Sequence, residues 1–366
     1  MDLPTKLGAA MNIRTIVFSS TISLVFLLAS PLLAGERTDV IVMKNGDRIT
    51  CEVKGLNADS LTVSLDYVEE RNITLQWSKV ARLNSTRLFI VQTEDGSVYT
   101  GRISTAETPG GRPVRIQVAV TPDKQVELDQ LQVVKISETS QNFWQRLNGD
   151  VETGIIFSKG NDSTQYSIGT HIEYPRERWL ARANFDSTLS VNTNSNNSTR
   201  NQFEVDALRL LRWNNWFYQG VSNLLQSSVQ GIHLQTTVGG GIGHYFLNTN
   251  STKISVTGGL AWQNTAYKTT IPPQAAQNLA AGLVFAEANI FKFKKTNLDA
   301  TALLIPSISE AGRVRFNTNV SYYVKLFSNL RWNMSFYSSW DNRPPPGLSG
   351  SDYGTSSGLS WKFGNR

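Results

Sequence analysis

Residues 313–326 read Arg-Val-Arg-Phe-Asn-Thr-Asn-Val-Ser-Tyr-Tyr-Val-Lys-Leu. Val314, Phe316, Thr318, Val320, Tyr322, Val324 and Leu326 share one parity, while Arg313, Arg315, Asn317, Asn319, Ser321, Tyr323 and Lys325 share the other. Successive side chains of a β-strand point to opposite faces, so this segment has one oily side and one wet side. Strands of globular proteins average about five or six residues. A run of this length is suited to crossing a bilayer at a tilt.

The same alternation recurs from there to both ends of the C-terminal region. It predicts twelve strands, at about 150–158, 163–174, 178–191, 199–212, 215–226, 230–246, 252–265, 278–292, 296–306, 312–327, 329–341 and 352–363. An even count is what a bacterial single-chain barrel requires. The oily parity carries Tyr166, Ile168, Ile172 and Tyr174; Trp179, Phe185 and Leu189; Leu260 and Trp262; and Trp332, Met334, Phe336 and Trp340. Their aromatics gather near strand ends, where interfacial girdles belong. The other parity would line a mixed-charge, water-bearing lumen. Its candidate lining residues are His171, Glu173, Arg178, Arg182, Asp186, His233, Asp299, Arg313, Arg315, Lys325 and Arg331. Tight turns are expected at Gly160-Asn161 and Pro175-Arg176, and longer polar loops at 192–198 and 343–347. A soluble sandwich or lipocalin-like barrel would instead turn the oily face inward. Nine tryptophans and long strands favour lipid contact.

Ahead of this region the chain carries an export signature. Lys6 and Arg14 precede an apolar run from Ile16 to Leu28 and a small-residue exit at Leu32-Leu33-Ala34-Gly35. The run is short for a transmembrane helix and fits a signal peptide over 1–35 that is cut near Ala34, with Met11 as a possible start. Cys51 is the single cysteine, so neither an intramolecular disulfide nor a cysteine-rich metal site is available. The formal net charge is +6, but Lys and Arg are scattered and form no phosphate-binding stripe, so nucleic acid is not an expected partner. Mean hydropathy of −0.24 is low for a helical membrane protein. A barrel accounts for it, since only alternate residues meet lipid.

Residues 38–137 read as two copies of a small β unit, 38–85 and 86–137. Asn45-Gly46-Asp47 and Asp95-Gly96-Ser97 are hairpin turns 50 residues apart, and Trp77 and Leu128 fall 51 apart. Five short strands per copy suit an SH3-like or Sm-like fold. The expected architecture is therefore all-β, an outer-membrane barrel preceded by two small modules in the periplasm.

The segment Gly154-Ile-Ile-Phe-Ser-Lys-Gly-Asn-Asp-Ser-Thr164 is similar to the opening hairpin of the YdiY-like, or salt-induced, outer-membrane protein family, a domain of unknown function. Barrel length and an aromatic terminal strand extend the resemblance over 148–366. It implies an outer-membrane barrel with no established activity, ligand or cofactor. The terminal strand, with Tyr353, Leu359, Trp361 and Phe363 in alternation, also resembles the signal read by the barrel-assembly machinery, although Gly364-Asn365-Arg366 follow it.

Catalytic motifs are sparse. The three histidines are His171, His233 and His244, and nothing has zinc spacing, phosphate-loop context or paired catalytic carboxylates. Gly239-Gly240-Gly241-Ile242-Gly243 lies within a strand pattern, where it would let the wall bend or a neighbour approach. The leading expectation is a passive pore or an envelope-structural barrel whose inward charges either line a channel or close it by pairing. The alternatives are a platform whose periplasmic module docks a protein or cell-wall partner, and an outer-membrane hydrolase using His171 or His233.

Overall fold

The computed structural model describes residues 39–363, apart from 66, 69–71, 107–113, 122–123, 140–142, 159–162, 193–195, 212–213, 269–275, 293–295 and 328. The expected signal peptide, the Gly160-Asn161 turn and the final three residues lie outside the described residues.

The N-terminal region contains ten strands: β1 (Asp39–Met43), β2 (Arg48–Asn57), β3 (Ser60–Ser64), β4 (Ile73–Gln76), β5 (Val80–Asn84), β6 (Leu88–Thr93), β7 (Val98–Thr105), β8 (Arg115–Thr121), β9 (Lys124–Asp129) and β10 (Val133–Glu138). The two halves pair alike: β1 lies between β2 and β5, and β6 lies between β7 and β10. They are not separate bodies, because β10 also pairs with β2 and the ten strands form one sheet system. One apolar cluster crosses the junction, running from Ile41, Cys51, Val53 and Trp77 to Phe89, Ile103, Ile116 and Ile136.

Trp77 and Gln130, each opening a short 3₁₀ turn, clasp across the halves. The indole Nε1 donates to Gln130 O at 2.9 Å, and Gln130 Nε2 donates to Trp77 O at 2.6 Å. The partner position of Trp77 is thus Gln130, not Leu128, and the hydrogen bonds explain how a polar side chain fills a core site. Arg87, in the link between the halves, ties β1 and β2 to β10. It pairs with the fully buried Asp39, with Glu52 at 3.1 Å and with Glu138 at 2.8 Å.

After a short helix α1 (Phe143–Arg146) come twelve antiparallel strands: β11 (Asn148–Ser158), β12 (Ser163–Pro175), β13 (Trp179–Asn192), β14 (Ser198–Leu210), β15 (Trp216–Ser227), β16 (Ile232–Asn248), β17 (Thr252–Tyr267), β18 (Gln277–Lys292), β19 (Thr296–Pro306), β20 (Val314–Phe327), β21 (Leu330–Asp341) and β22 (Ser351–Phe363). Each pairs with the next, and β11 pairs with β22 from Gly149↔Phe363 to Gly154↔Gly358, so the barrel is closed. Closure removes every sheet edge, the condition for strands to sit in hydrocarbon.

Connectors sort by end. Among the described residues, those at 176–178 and 249–251 lie with the start of β11 and are short, while those at 307–313 and 342–350 lie at the other end and are longer.

The outer wall is apolar. Leu260 is 67% exposed while the next residue, Ala261, is 7% exposed. Ile168, Phe185, Phe203, Val284, Met334, Phe336 and Leu359 are likewise exposed along strand middles. Trp179, Trp216 and Trp361 stand exposed near the short-turn end, and Trp262, Trp340 and Tyr353 near the other. An apolar band between two aromatic belts is the surface of a membrane-spanning barrel. It contradicts an inward-facing oily side.

Candidate functional site in the barrel interior

Contacts between strands that are not neighbours in the closed barrel must pass through its interior, and several do. On β13, Arg182 donates through Nε to both carboxylate oxygens of Asp206 at 3.0 Å and through Nη2 to Oδ1 at 2.9 Å. Asp206 is its register partner on β14. The same guanidinium reaches Glu287 on β18, Nη1 to Oε1 at 2.7 Å and Nη2 to Oε2 at 3.1 Å. Two-pronged arginine–carboxylate pairs are strong and directional, and this one spans the lumen.

A second group lies on the same half of the barrel. Glu152 on β11 accepts from Tyr323 Oη of β20 and from Asn333 Nδ2 of β21, both at 2.7 Å. Beside it Arg331 pairs with Asp150 at 3.2 Å, and its guanidinium lies 4.4 Å from the Tyr323 ring centre.

Toward the longer loops, Asp352 on β22 accepts from Arg200 of β14 at 3.2 Å and from Ser227 Oγ at 2.6 Å, with Arg200 stacked 4.6 Å from the Tyr337 ring centre. Arg315 bonds Gln263 across the interior and pairs with Asp341 at 2.9 Å.

The interior is not polar throughout. Ala261, Ala281, Leu283, Leu303 and Ile305 form a buried cluster with Val221 and Phe285 against it. The glycines of β16 make room for it: a Cβ on Gly239 would stand 2.9 Å from Ala261 Cβ and 3.0 Å from Leu283 Cδ1. Gly241 and Gly259 face each other so closely that neither admits a side chain. The glycine run serves close packing, with β18 apolar on both faces, where the alternation alone predicts a uniformly wet lining.

The candidate lining residues are placed as follows. Arg182, Arg315 and Arg331 belong to the networks above. His171 on β12 shares a hydrogen bond with Asn184, its register partner on β13. Asp299 accepts from Asn289 Nδ2 at 3.0 Å, Asp186 is exposed, and Lys325 is exposed next to a register shift in β20. Arg313 precedes β20 and is 1% exposed, held by Asp341 at 2.7 Å and Glu310 at 2.9 Å at the longer-loop end.

Two placements differ from expectation. Arg178 is in the turn between β12 and β13, not on the wall, because Pro175 and the connector end the strand before it. His233 sits at a register shift between Ile232 and Leu234, where an extra residue breaks the alternation that assigned it inward. His171 and His233 lie toward opposite ends of the barrel, so they do not converge on one reacting centre.

Glu152, Arg200, Asp206, Glu287 and Asp352 escaped the sequence reading. Glu287 carried a signal: it is the lone charge in the apolar run Leu279–Ile290.

The N-terminal sheet touches the short-turn end. Asn215 Nδ2 donates to Glu94 O at 2.6 Å, and Asn248 Nδ2 to Asn215 Oδ1 at 3.0 Å. Asn250 Nδ2 donates to Val133 O at 3.0 Å, and Lys135 lies 3.8 Å from Glu173. Asn215 has φ +64°, a left-handed turn conformation that asparagine tolerates. Burial pushes the Glu94 carboxyl up, and nearby Asp129 adds to the shift.

Among solved structures, the translocator domain of the autotransporter NalP from Neisseria meningitidis is 14% identical, covering 59% of this chain and 87% of that one, with a TM-score of 0.32. A bacterial polysaccharide outer membrane secretin is 10% identical over 60% and 98%, with a TM-score of 0.31. A porin is 12% identical over 89% and 98%, with a TM-score of 0.27. No curated protein shows a significant match to the chain. The family described as "Protein of unknown function, DUF481" matches residues 151–363, more than half of the chain and nearly the whole barrel, and the chain belongs to that family.

Proposed function

We propose that this protein is an envelope-structural barrel of the outer membrane, closed in its resting state, with the N-terminal sheet held at the periplasmic mouth. The observation that carries this reading is the bridge from Arg182 to Glu287 across the interior. Opening a water-filled path there would separate a buried arginine from two carboxylates, which is costly when charges leave their partners inside a protein. The apolar cluster around Leu283 fills interior space that a general pore would leave to water.

Short turns are periplasmic in outer-membrane barrels, and the contacts of the N-terminal sheet with the short-turn end support a periplasmic sheet with the longer loops outside. Export through a signal peptide at 1–35 and insertion guided by the terminal strand belong to the same reading.

Single-channel recording of the full chain in planar bilayers tests the claim. The protein should show no sustained open level, whereas the double variant Arg182→Ala with Glu287→Ala should give frequent conducting events. A steady large conductance from the unaltered protein would contradict the closed interior.

A further inference from the structure

A cleft of about 540 Å³ lies where the N-terminal sheet meets the barrel's short-turn end. Four arginines line it, Arg146 on α1, Arg176 and Arg178 in the turn after β12, and Arg209 near the end of β14, with one acidic residue, Glu177. Thr100 of the sheet lines the opposite side. Arg178 Nη1 and Thr100 Oγ1 are both buried atoms with no hydrogen-bond partner. Both are closed to solvent as the side chains stand, so a small turn of either would be needed to present its unpaired donor to an acceptor in the cleft.

The outer wall indicates which anion. Arg209 is exposed and shares its face with the lipid-facing Phe203 and Val205, so it stands on the lipid side of the wall. Its guanidinium lies 5.2 Å from the ring centre of Trp179, an exposed belt residue and its register partner. Arg176 stacks 5.6 Å from the Tyr174 ring centre, and Phe143 lies 4.9 Å from the same ring, next to Trp144, which is 72% exposed. Arginines amid interfacial aromatics stand at headgroup depth, where a long side chain reaches phosphate while its stem stays in apolar surroundings.

We infer that this cleft binds the phosphate of an anionic phospholipid from the periplasm-facing leaflet. Planar guanidiniums match phosphate oxygens two at a time, and Arg146, Arg176, Arg178 and Arg209 bring four of them to the edge of one cleft. The acyl chains would run along the wall over Phe203 and Val205. The N-terminal sheet forms one side of the cleft, so the lipid would also hold the sheet to the barrel. This inference rests on the membrane-spanning reading.

The test is native mass spectrometry of the full-length protein released from vesicles of equal parts phosphatidylglycerol and phosphatidylcholine, with heat-modifiable gel migration as the separate check on the barrel. The unaltered protein should retain phosphatidylglycerol about tenfold over phosphatidylcholine, the ratio expected for one or two charge-assisted hydrogen bonds. Arg178→Gln and Arg209→Gln, each still heat-modifiable, should abolish that preference, and Arg343→Gln at the opposite end should keep it. Arg209→Gln alters an exposed side chain, so it remains informative if Arg178→Gln fails to fold. No lipid preference in a heat-modifiable protein would overturn the inference without touching the barrel. Displacement of phosphatidylglycerol by millimolar inorganic phosphate would overturn it in favour of a free-phosphate site. Loss of heat-modifiability in the unaltered protein would instead remove the membrane reading beneath it.

Discussion

Arg182 shows what one residue contributes and how far its role can be read in advance. Its parity on β13 marks it as inward, but its two partners come from β14 and β18, and the second is 105 residues away. Alternation reports which face a side chain takes, not which distant strand stands opposite once the sheet closes. Replacing Arg182 with Ala leaves Asp206 and Glu287 buried without compensation, and should destabilise the folded barrel by about 3–5 kcal/mol. Replacing all three with apolar residues of similar volume should cost markedly less, since the desolvated charges go together. Urea unfolding in lipid vesicles distinguishes the two cases. His233 makes the opposite point: a single inserted residue at the start of β16 re-aims it, and a strand's sequence carries little trace of a bulge.

At the level of elements, β20 is the clearest strand in the sequence and keeps its two faces in the structure. Val320 pairs with Phe336 on the apolar side, whereas Asn319 is exposed to the interior. Val320→Arg near mid-depth should therefore cost about 2–4 kcal/mol, and Asn319→Arg should be tolerated. Equal effects in a lipid-vesicle folding titration would refute the assignment of faces. The turn at 94–97 gives a second element-level case. Gly96 has φ +81°, and a Cβ there would stand 2.8 Å from Asn215 N of the barrel. Gly96→Val should cost about 1–2 kcal/mol from the backbone alone. It should also loosen the N-terminal sheet, seen as faster proteolysis of residues 39–138 while the barrel stays heat-modifiable. The glycine turns at 46 and 96 were visible in the sequence, as was a five-strand rhythm in each half. Their merger through β10 and β2 was not, because edge-to-edge pairing between halves leaves no local pattern.

For the whole molecule, the barrel and its strand count were legible because lipid imposes a two-residue period over long strands and closure imposes an even number. The interior was less so. An aqueous lumen tolerates almost any polar residue, so the polar parity alone does not separate a channel from a packed network, and the apolar stretch of β17 to β19 breaks the simple rule from inside. What remains central is that the apolar wall faces lipid. Fractionation of the expressed protein, with gel migration compared before and after boiling, tests this most directly. Recovery in the outer membrane with a mobility shift on boiling is the predicted result. Recovery in the soluble periplasm with no shift would contradict the account, because the exposed band from Ile168 to Leu359 would then have no lipid to cover it.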